Sequence, residues 1–423
     1  MTALYNGVQY VLGLGATVIL PLAIFIIALC FRVNISKAFR SAITIGIGFV
    51  GINLVIGLLT DNLGPAAHAM VKNFGLHLTI LDTGWPSAAA AAWATPVAAV
   101  LIPLCLVLNI ILLFLKVTKT FDIDIWNYWH FMAAAATGYI VTGGNWWFAI
   151  LCAFIYEIIV LIIADRAAPY TTGFYQLEGI TCPTGSTTAY GLIGVPIGWA
   201  ISKIPGINKL KADPETIQKR FGIFGEPAIM GLIIGLIIGL LGGYDIGKAF
   251  QLGIALGGVM FLMPRMVKIL MEGLIPISES IRDTISKRFH GREVYLGLDA
   301  ALTIGHPANI ATGLILVPIT LLLAVILPGN RVLPFGDLAT IPFYVSFIVA
   351  SRKGNIIQSL LAGIVVISLA LLMATNFGPV HTIMMKGVYN FPNGVTEVSS
   401  LDMGGNILNW IILKFAQIVH AVL

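Results

Sequence analysis

The chain has 423 residues, of which 58% are hydrophobic and 10% charged, with a formal net charge of +5 and a mean hydropathy of +0.94. Soluble domains carry roughly 25% charged residues, so the composition describes an integral membrane protein. No basic domain stands outside the membrane segments, which argues against nucleic-acid binding.

In chain order, apolar stretches at 11–31, 39–59, 92–116, 126–142 and 145–164 have the length and character that a hydrocarbon core of about 30 Å demands of a helix. The first, "VLGLGATVILPLAIFIIALCF", lacks the basic leader and small-residue cleavage site of a signal peptide, so it is expected to be a retained first helix. Cys30, Cys105, Cys152 and Cys182 show no metal-ligand spacing, and neither a metal site, a disulfide nor any other cofactor is expected. There is no P-loop, so ATP-driven transport by this chain alone is not expected.

The chain repeats itself at an offset of roughly 211 residues, the kind of internal symmetry common in transporters. "KAF" at 37–39 returns at 248–250, and Asp61 and Pro65 return as Glu272 and Pro276. Gly84 and Pro86 return as Gly305 and Pro307, "GN" at 144–145 returns at 354–355, and Pro169 returns as Pro379. "GVPIGW" at 194–199 returns as "GNILNW" at 405–410. Two repeats follow, 1–211 and 212–423, together one membrane domain.

Their relative orientation comes from basic residues, which mark the cytoplasmic side. Arg32, Lys37 and Arg40 follow the first helix of the first repeat, whereas Lys203, Lys209, Lys211, Lys219 and Arg220 precede that of the second. The repeats are therefore expected to be inverted, with an odd number of crossings each. The expected fold is all-α and polytopic, about 10–12 transmembrane helices arranged as two inverted five-helix repeats with re-entrant hairpins. The hairpin tips are expected near "GITCPTGSTT" (179–188) and "YNFPNGVTEVSS" (389–400). Non-helical backbone survives at membrane depth only where protein or a polar cavity receives it.

Two similar broken segments support a site at mid-membrane: "GWPSAAAAAWATP" (84–96) and "GHPANIATGLILVP" (305–318). Pro86, Pro96, Pro307 and Pro318 each remove a backbone donor, leaving groups for a cavity, or a plain kink satisfied by Ser87 and neighbouring helices. Asp82, Trp85 and Ser87 surround the first break; Asp299, His306 and Asn309 surround the second. As mid-membrane carboxylates Asp82 and Asp299 would face a wet interior; equally, they would serve as helix N-caps.

Further candidates follow along the chain. "NYWHFMAAAATG" (127–138) gathers Asn127, Trp129 and His130, neutral groups suited to a polyhydroxylated ligand, while Trp126 and Tyr128 read as interfacial anchors. The matching position in the second repeat is Asp337. Glu157, alone in an apolar run, marks either function or helix pairing. Glu178, Thr184, Ser186 and Thr187 cluster at the first hairpin tip, with His381, Asn393 and Thr396 as opposite counterparts. His68, His77 and His290 read as solvated. Residues 277–291, with Ile277, Ile281, Ile285 and Phe289 among charges, suit an amphipathic helix on the cytoplasmic surface or a docking face for a soluble partner.

Through "LGLGATVILPLAIFIIAL", "TGWPSAAAAAW", "GIFGEPAIMGLIIGL" and "LTIGHPANIATGLILVP", essentially the whole chain resembles the galactitol-type enzyme IIC membrane component of the bacterial phosphoenolpyruvate-dependent sugar phosphotransferase system. The resemblance implies a multi-pass homodimer in the inner membrane, related in fold to the ascorbate transporter of that system. It further implies an elevator-like core that carries galactitol or a related polyol. Cytosolic IIA and IIB proteins are the implied partners, and IIB carries the phosphoryl group on its own cysteine. On that implication no residue of this chain is phosphorylated, Cys182 included, and none is a certain catalytic residue. Binding groups are implied around Ser87, in the helix opening Asn127–His130, at the hairpin tips and near His306. The general base for the accepting hydroxyl is then Glu178 or Asp337, both left open.

The site expected from residues and resemblance together is Asp82, Trp85, Ser87, Asn127, His130, Glu178, Thr184, Ser186, His306, Asn309 and Asp337. The competing reading is a proton- or ion-coupled secondary transporter of a polar solute, working through Glu157, Asp337 and His130. A dedicated channel is disfavoured by paired broken helices.

Overall fold

The structure, a computed structural model, describes residues 16–30, 32–73, 75, 78–210, 212–216, 223, 226–288, 293–334, 336–386, 388, 391 and 395–422. His77, His290 and Asn393 lie outside the described residues, as does most of 389–394.

The first half runs α1 (Ala16–Cys30), α2 (Ile35–Asn73), β1 (Ile80–Asp82), α3 (Gly84–Trp93), α4 (Ala98–Phe114), β2 (Thr120–Asp122), α5 (Trp129–Val141), α6 (Trp146–Tyr175), β3 (Ile180–Thr181) and α7 (Gly185–Ile201). The second half runs α8 (Pro227–Leu241), α9 (Ile246–Arg288), β4 (Tyr295–Gly297), α10 (Pro307–Ile326), β5 (Val332–Leu333), α11 (Ile341–Ser351), α12 (Ile356–Met385), β6 (Glu397–Ser399), α13 (Leu401–Gly404) and α14 (Ile407–Val422). Short 3₁₀ turns at Ile125–Tyr128, Ala300–Gly305 and Leu338–Thr340 lead into α5, α10 and α11.

The protein is mostly helical, as its apolar runs require. Among the described residues, Ile35–Ala66, Trp146–Tyr175, Ile246–Leu274, Pro307–Ile326 and Ile356–Met385 are helices long and apolar enough to cross a membrane. Helix α9 has 43 residues, about 65 Å at 1.5 Å per residue, roughly twice the hydrocarbon thickness. Its last turns include 277–288, so the amphipathic stretch continues a crossing helix instead of forming a separate one. Proline placement also differs from the sequence expectation. Pro86 sits in the first turn of α3 and Pro307 opens α10, where a missing N–H costs nothing. The first element breaks around Pro96, between α3 and α4, whereas α10 runs through Pro318.

Two long helices repeat in detail. Both α6 and α12 have 30 residues and an asparagine N-cap. The Phe148 amide donates to Asn145 Oδ1 and the Gln358 amide to Asn355 Oδ1, both at 3.1 Å. Each satisfies a first-turn donor that apolar surroundings would leave orphaned.

The six strands among the described residues leave no signal in the sequence, because two or three residues are too few to show alternation. They form two parallel sheets with the orders β5-β1-β6 and β2-β4-β3. The first strand of each half is thus clasped between the second and third strands of the other. Equivalent hydrogen bonds recur: the Ile80 amide donates to Arg331 O at 3.0 Å and the Tyr295 amide to Lys119 O at 2.8 Å.

Helices α1, α2, α8 and α9 pack mainly on one another, and α4, α6, α10 and α12 pack against the strands. Lipid supplies no hydrophobic drive between helices, so small residues that let backbones approach hold such packing together. A Cβ on Gly253 of α9 would stand 2.7 Å from Leu232 O of α8, and one on Gly235 of α8 would stand 2.6 Å from Gly253 Cα. Gly253→Val should therefore force α8 from α9, at about 1–3 kcal/mol. The expected result is a lower thermal unfolding midpoint in detergent than for Gly57→Ala, where a Cβ meets nothing within 4 Å.

Candidate functional site

Every strand ends in a segment that reaches one cavity of about 110 Å³. Trp85 follows β1, Trp129 follows β2, Thr184 and Ser186 follow β3, Asp299 and Ala301 follow β4, Thr340 and Phe343 follow β5, and Asp402 follows β6. Helix α2 closes the remaining side with Asn53 and Ile56. The walls thus offer hydroxyls, carboxylates and broad aromatic faces. Placement beyond the carboxyl ends of parallel strands is the geometry that open α/β sheets use for ligands.

Behind the cavity, carboxylates tie the strand ends together. Asp337 is fully buried. Its Oδ1 accepts from the Trp85 amide at 2.7 Å, and its Oδ2 accepts from Ser400 Oγ at 2.7 Å and the Asp402 amide at 2.9 Å. The Asp337 amide in turn donates to Asp82 Oδ2 at 2.9 Å, while Asp82 Oδ1 receives the Gly84 amide at 3.1 Å. Gly84 has φ +78°, and a Cβ there would stand 2.8 Å from Gly336 O, so both its conformation and its neighbour require glycine.

At the cavity surface, Ser186 Oγ donates to Asp402 Oδ2 at 2.8 Å and lies 3.2 Å from His130 Nε2, itself 3.5 Å from Asp402 Oδ1. His130 is fully buried and its ring centroid lies 3.7 Å from that of Trp129, which lines the cavity. Asp402 Oδ1 is buried without a hydrogen-bond donor among the described residues. Among the other lining residues, Thr184 Oγ1 donates to Asn127 Oδ1 at 3.2 Å and accepts from the Ala300 amide at 2.8 Å. Asp299 Oδ1 accepts from the Ala301 amide at 2.6 Å.

Of the residues expected from sequence, Trp85, Thr184 and Ser186 line the cavity. Asp82, Asn127, His130 and Asp337 are buried directly behind it. Ser87 is half-buried on α3 and is not part of the walls. Glu178 is exposed in the turn before β3. His306 caps α10, its Nδ1 accepting from the Ala308 amide at 3.2 Å, and lies 4.2 Å ring to ring from Phe174. Asn309 is buried and donates to Thr303 O at 3.3 Å. Glu157 and His381 are buried within α6 and α12, away from the cavity walls. Asp402 was not anticipated: its signal is only a position, two residues beyond "VSS" and opening the short helix α13. Asn53 is likewise new, the single polar side chain in the apolar stretch 45–59.

Long apolar helices, several of them of membrane-crossing length, folded around a cavity with carboxylates and hydroxyls among its lining residues, define a multi-pass membrane protein. The family model for the sugar-specific permease component of the phosphotransferase system (PTS), EIIC-GAT, matches residues 10–394, and the chain belongs to that family. It is 40% identical over 406 residues to the PTS system galactitol-specific EIIC component of Escherichia coli strain K12, covering 96% of this chain and 90% of that one. It is 39% identical over 415 residues to a putative permease IIC component of the same strain, covering 97% and 94%.

Asp337→Ala would strand the Trp85 and Asp402 amides and the Ser400 hydroxyl. Each orphaned buried group costs about 1–3 kcal/mol. The expected outcome is a protein several kcal/mol less stable, read by tryptophan fluorescence on heating in detergent, with Asp337→Asn less affected because it keeps one acceptor oxygen.

Proposed function

We propose that this chain is the membrane permease component of a phosphotransferase system for a neutral polyol, galactitol or a close relative, and that the polyol binds in the cavity at the strand ends. The observation that carries the reading is the pairing of a donor-free Asp402 Oδ1 with the aromatic faces of Trp85, Trp129 and Phe343. Hydroxyls leaving water need acceptors, and the C–H surface of a polyol packs on ring faces. The name of the 40% identical relative supports galactitol.

On this reading Asp402, held at Oδ2 by the Ser186 hydroxyl, anchors a substrate hydroxyl through Oδ1. Asp337 organises the loops and does not act as the base, because its oxygens already accept from protein donors. Glu178, exposed before β3, is placed for neither role.

Two inverted repeats, 1–211 and 212–423, account for the reciprocal sheets and the matched α6 and α12. The short strand and helix at 180–201, and those at 397–404, are then the inward-dipping hairpins. The cavity has walls from α2 on one side and from strand ends on the other, which suits an elevator: the strand-end core carries the solute past α2 and its partners. The protein would work as a homodimer in the inner membrane and present the polyol to phosphorylated IIB, with IIA upstream.

Membranes containing the protein, supplied with purified IIA and IIB and a panel of radiolabelled polyols, should phosphorylate galactitol preferentially. Asp402→Ala removes a charged acceptor worth about 1.5–3 kcal/mol, so its phosphorylation rate at subsaturating polyol should fall about ten- to a hundredfold. Accumulation of unmodified polyol under a proton gradient, without either partner, would instead establish the ion-coupled transporter. A separate comparison bears on the wall that α2 provides: Asn53→Leu should raise the apparent KM severalfold, measured as the concentration dependence of the same reaction.

A further inference from the structure

Backbone amides at the starts of helices ordinarily make anion sites, and several helices or 3₁₀ turns begin around this cavity. Here the chain's own oxygens occupy those amides. The Trp85 and Asp402 amides donate to Asp337, the Gly84 amide to Asp82, the Ala301 amide to Asp299, and the Ala300 amide to Thr184. Two carboxylates, Asp299 and Asp402, also line the cavity, and among the described residues no lysine or arginine does. The ion pairs of Lys119 with Glu293 and of Arg331 with Glu397 involve none of its lining residues. An anion entering this space meets carboxylates in a poorly screened interior, with no lysine or arginine among the described lining residues and few free amides to offset them.

We propose that the cavity rejects anions, so that it admits the neutral polyol and expels the phosphorylated product, with Asp299 and Asp402 as the selecting groups. The inference rests on the functional reading above, in which the substrate is neutral and gains a phosphate. Discrimination by unpaired like charge is a recognised route to specificity, and here it would speed release of the product. A solute that becomes a phosphate ester no longer fits the electrostatics of the place where it was bound, so it leaves.

The test uses the full-length protein in detergent and radiolabelled galactitol, displaced by unlabelled galactitol, galactitol phosphate, galactonate and 1-amino-1-deoxygalactitol. Wild-type protein should be displaced by galactitol and by the amine, and at least a hundredfold less effectively by the phosphate and the carboxylate. Asp299→Asn and Asp402→Asn, near-isosteric and neutral, should each make galactitol phosphate itself displace at least tenfold more effectively than it does from wild type. Displacement of wild type by galactitol phosphate or galactonate within threefold of galactitol overturns the inference and leaves the function standing. Displacement by galactitol phosphate no better in either variant than in wild type, with galactitol still bound, also overturns it. If either variant loses galactitol binding altogether, the wild-type panel decides alone. Absence of any galactitol binding by wild type defeats the functional reading instead.

Discussion

One carboxylate, that of Asp337, fixes the geometry on which the site depends. It accepts from the backbone after β1 and from both the side chain and the backbone after β6, while its own amide donates to Asp82. Three segments far apart in sequence therefore meet at one fully buried group. Hydrogen bonds to a charged or strongly polarised oxygen are stronger than neutral ones, and in an apolar interior no water competes for them. The position of Trp85 on one side of the cavity and of Asp402 on another follows from this junction.

Such a junction is needed because the strands are so short. Backbone that leaves helical form within a membrane protein must find every donor and acceptor a partner. Two- and three-residue strands satisfy some of them, and the polar side chains just beyond the strands satisfy others: Asp82, Thr184, Asp299, Asp337 and Ser400 all serve this way. The same residues that repair the backbone thereby give the cavity its polarity. Packing divides the remaining work. Helices α2, α8 and α9 approach through glycines, while α6 and α12 begin at matched asparagine caps.

Much of this was legible in the sequence. The apolar runs located the long helices, because nothing else shelters so many hydrophobic side chains. "GN" at 144–145 and 354–355 pointed to equivalent positions, and the structure gives both asparagines the same capping bond. Trp85, Thr184 and Ser186 stood out as polar or amphipathic groups beside glycine and proline, and they reach the cavity. Asp402 did not stand out, since its importance comes from contacts with Ser186 and His130, both more than two hundred residues away in sequence. The strands were invisible for a related reason: their partners lie in the opposite half, and no local pattern announces a non-local pairing. Ser87, His306 and Asn309 are polar near breaks, as expected, yet their bonds or positions serve helix ends and neighbouring turns.

The exchange of strands between halves has a consequence for biogenesis. Strand β1 is completed only by β5 and β6, segments that leave the ribosome some 250 and 315 residues later, at about 5–20 residues per second. For tens of seconds the nascent first half carries open strand edges with no mates. The insertion machinery or neighbouring helices must shelter the edges of β1 until translation is nearly finished, whereas the β2-β4-β3 sheet can close once β4 emerges, so the two sheets are completed at different times.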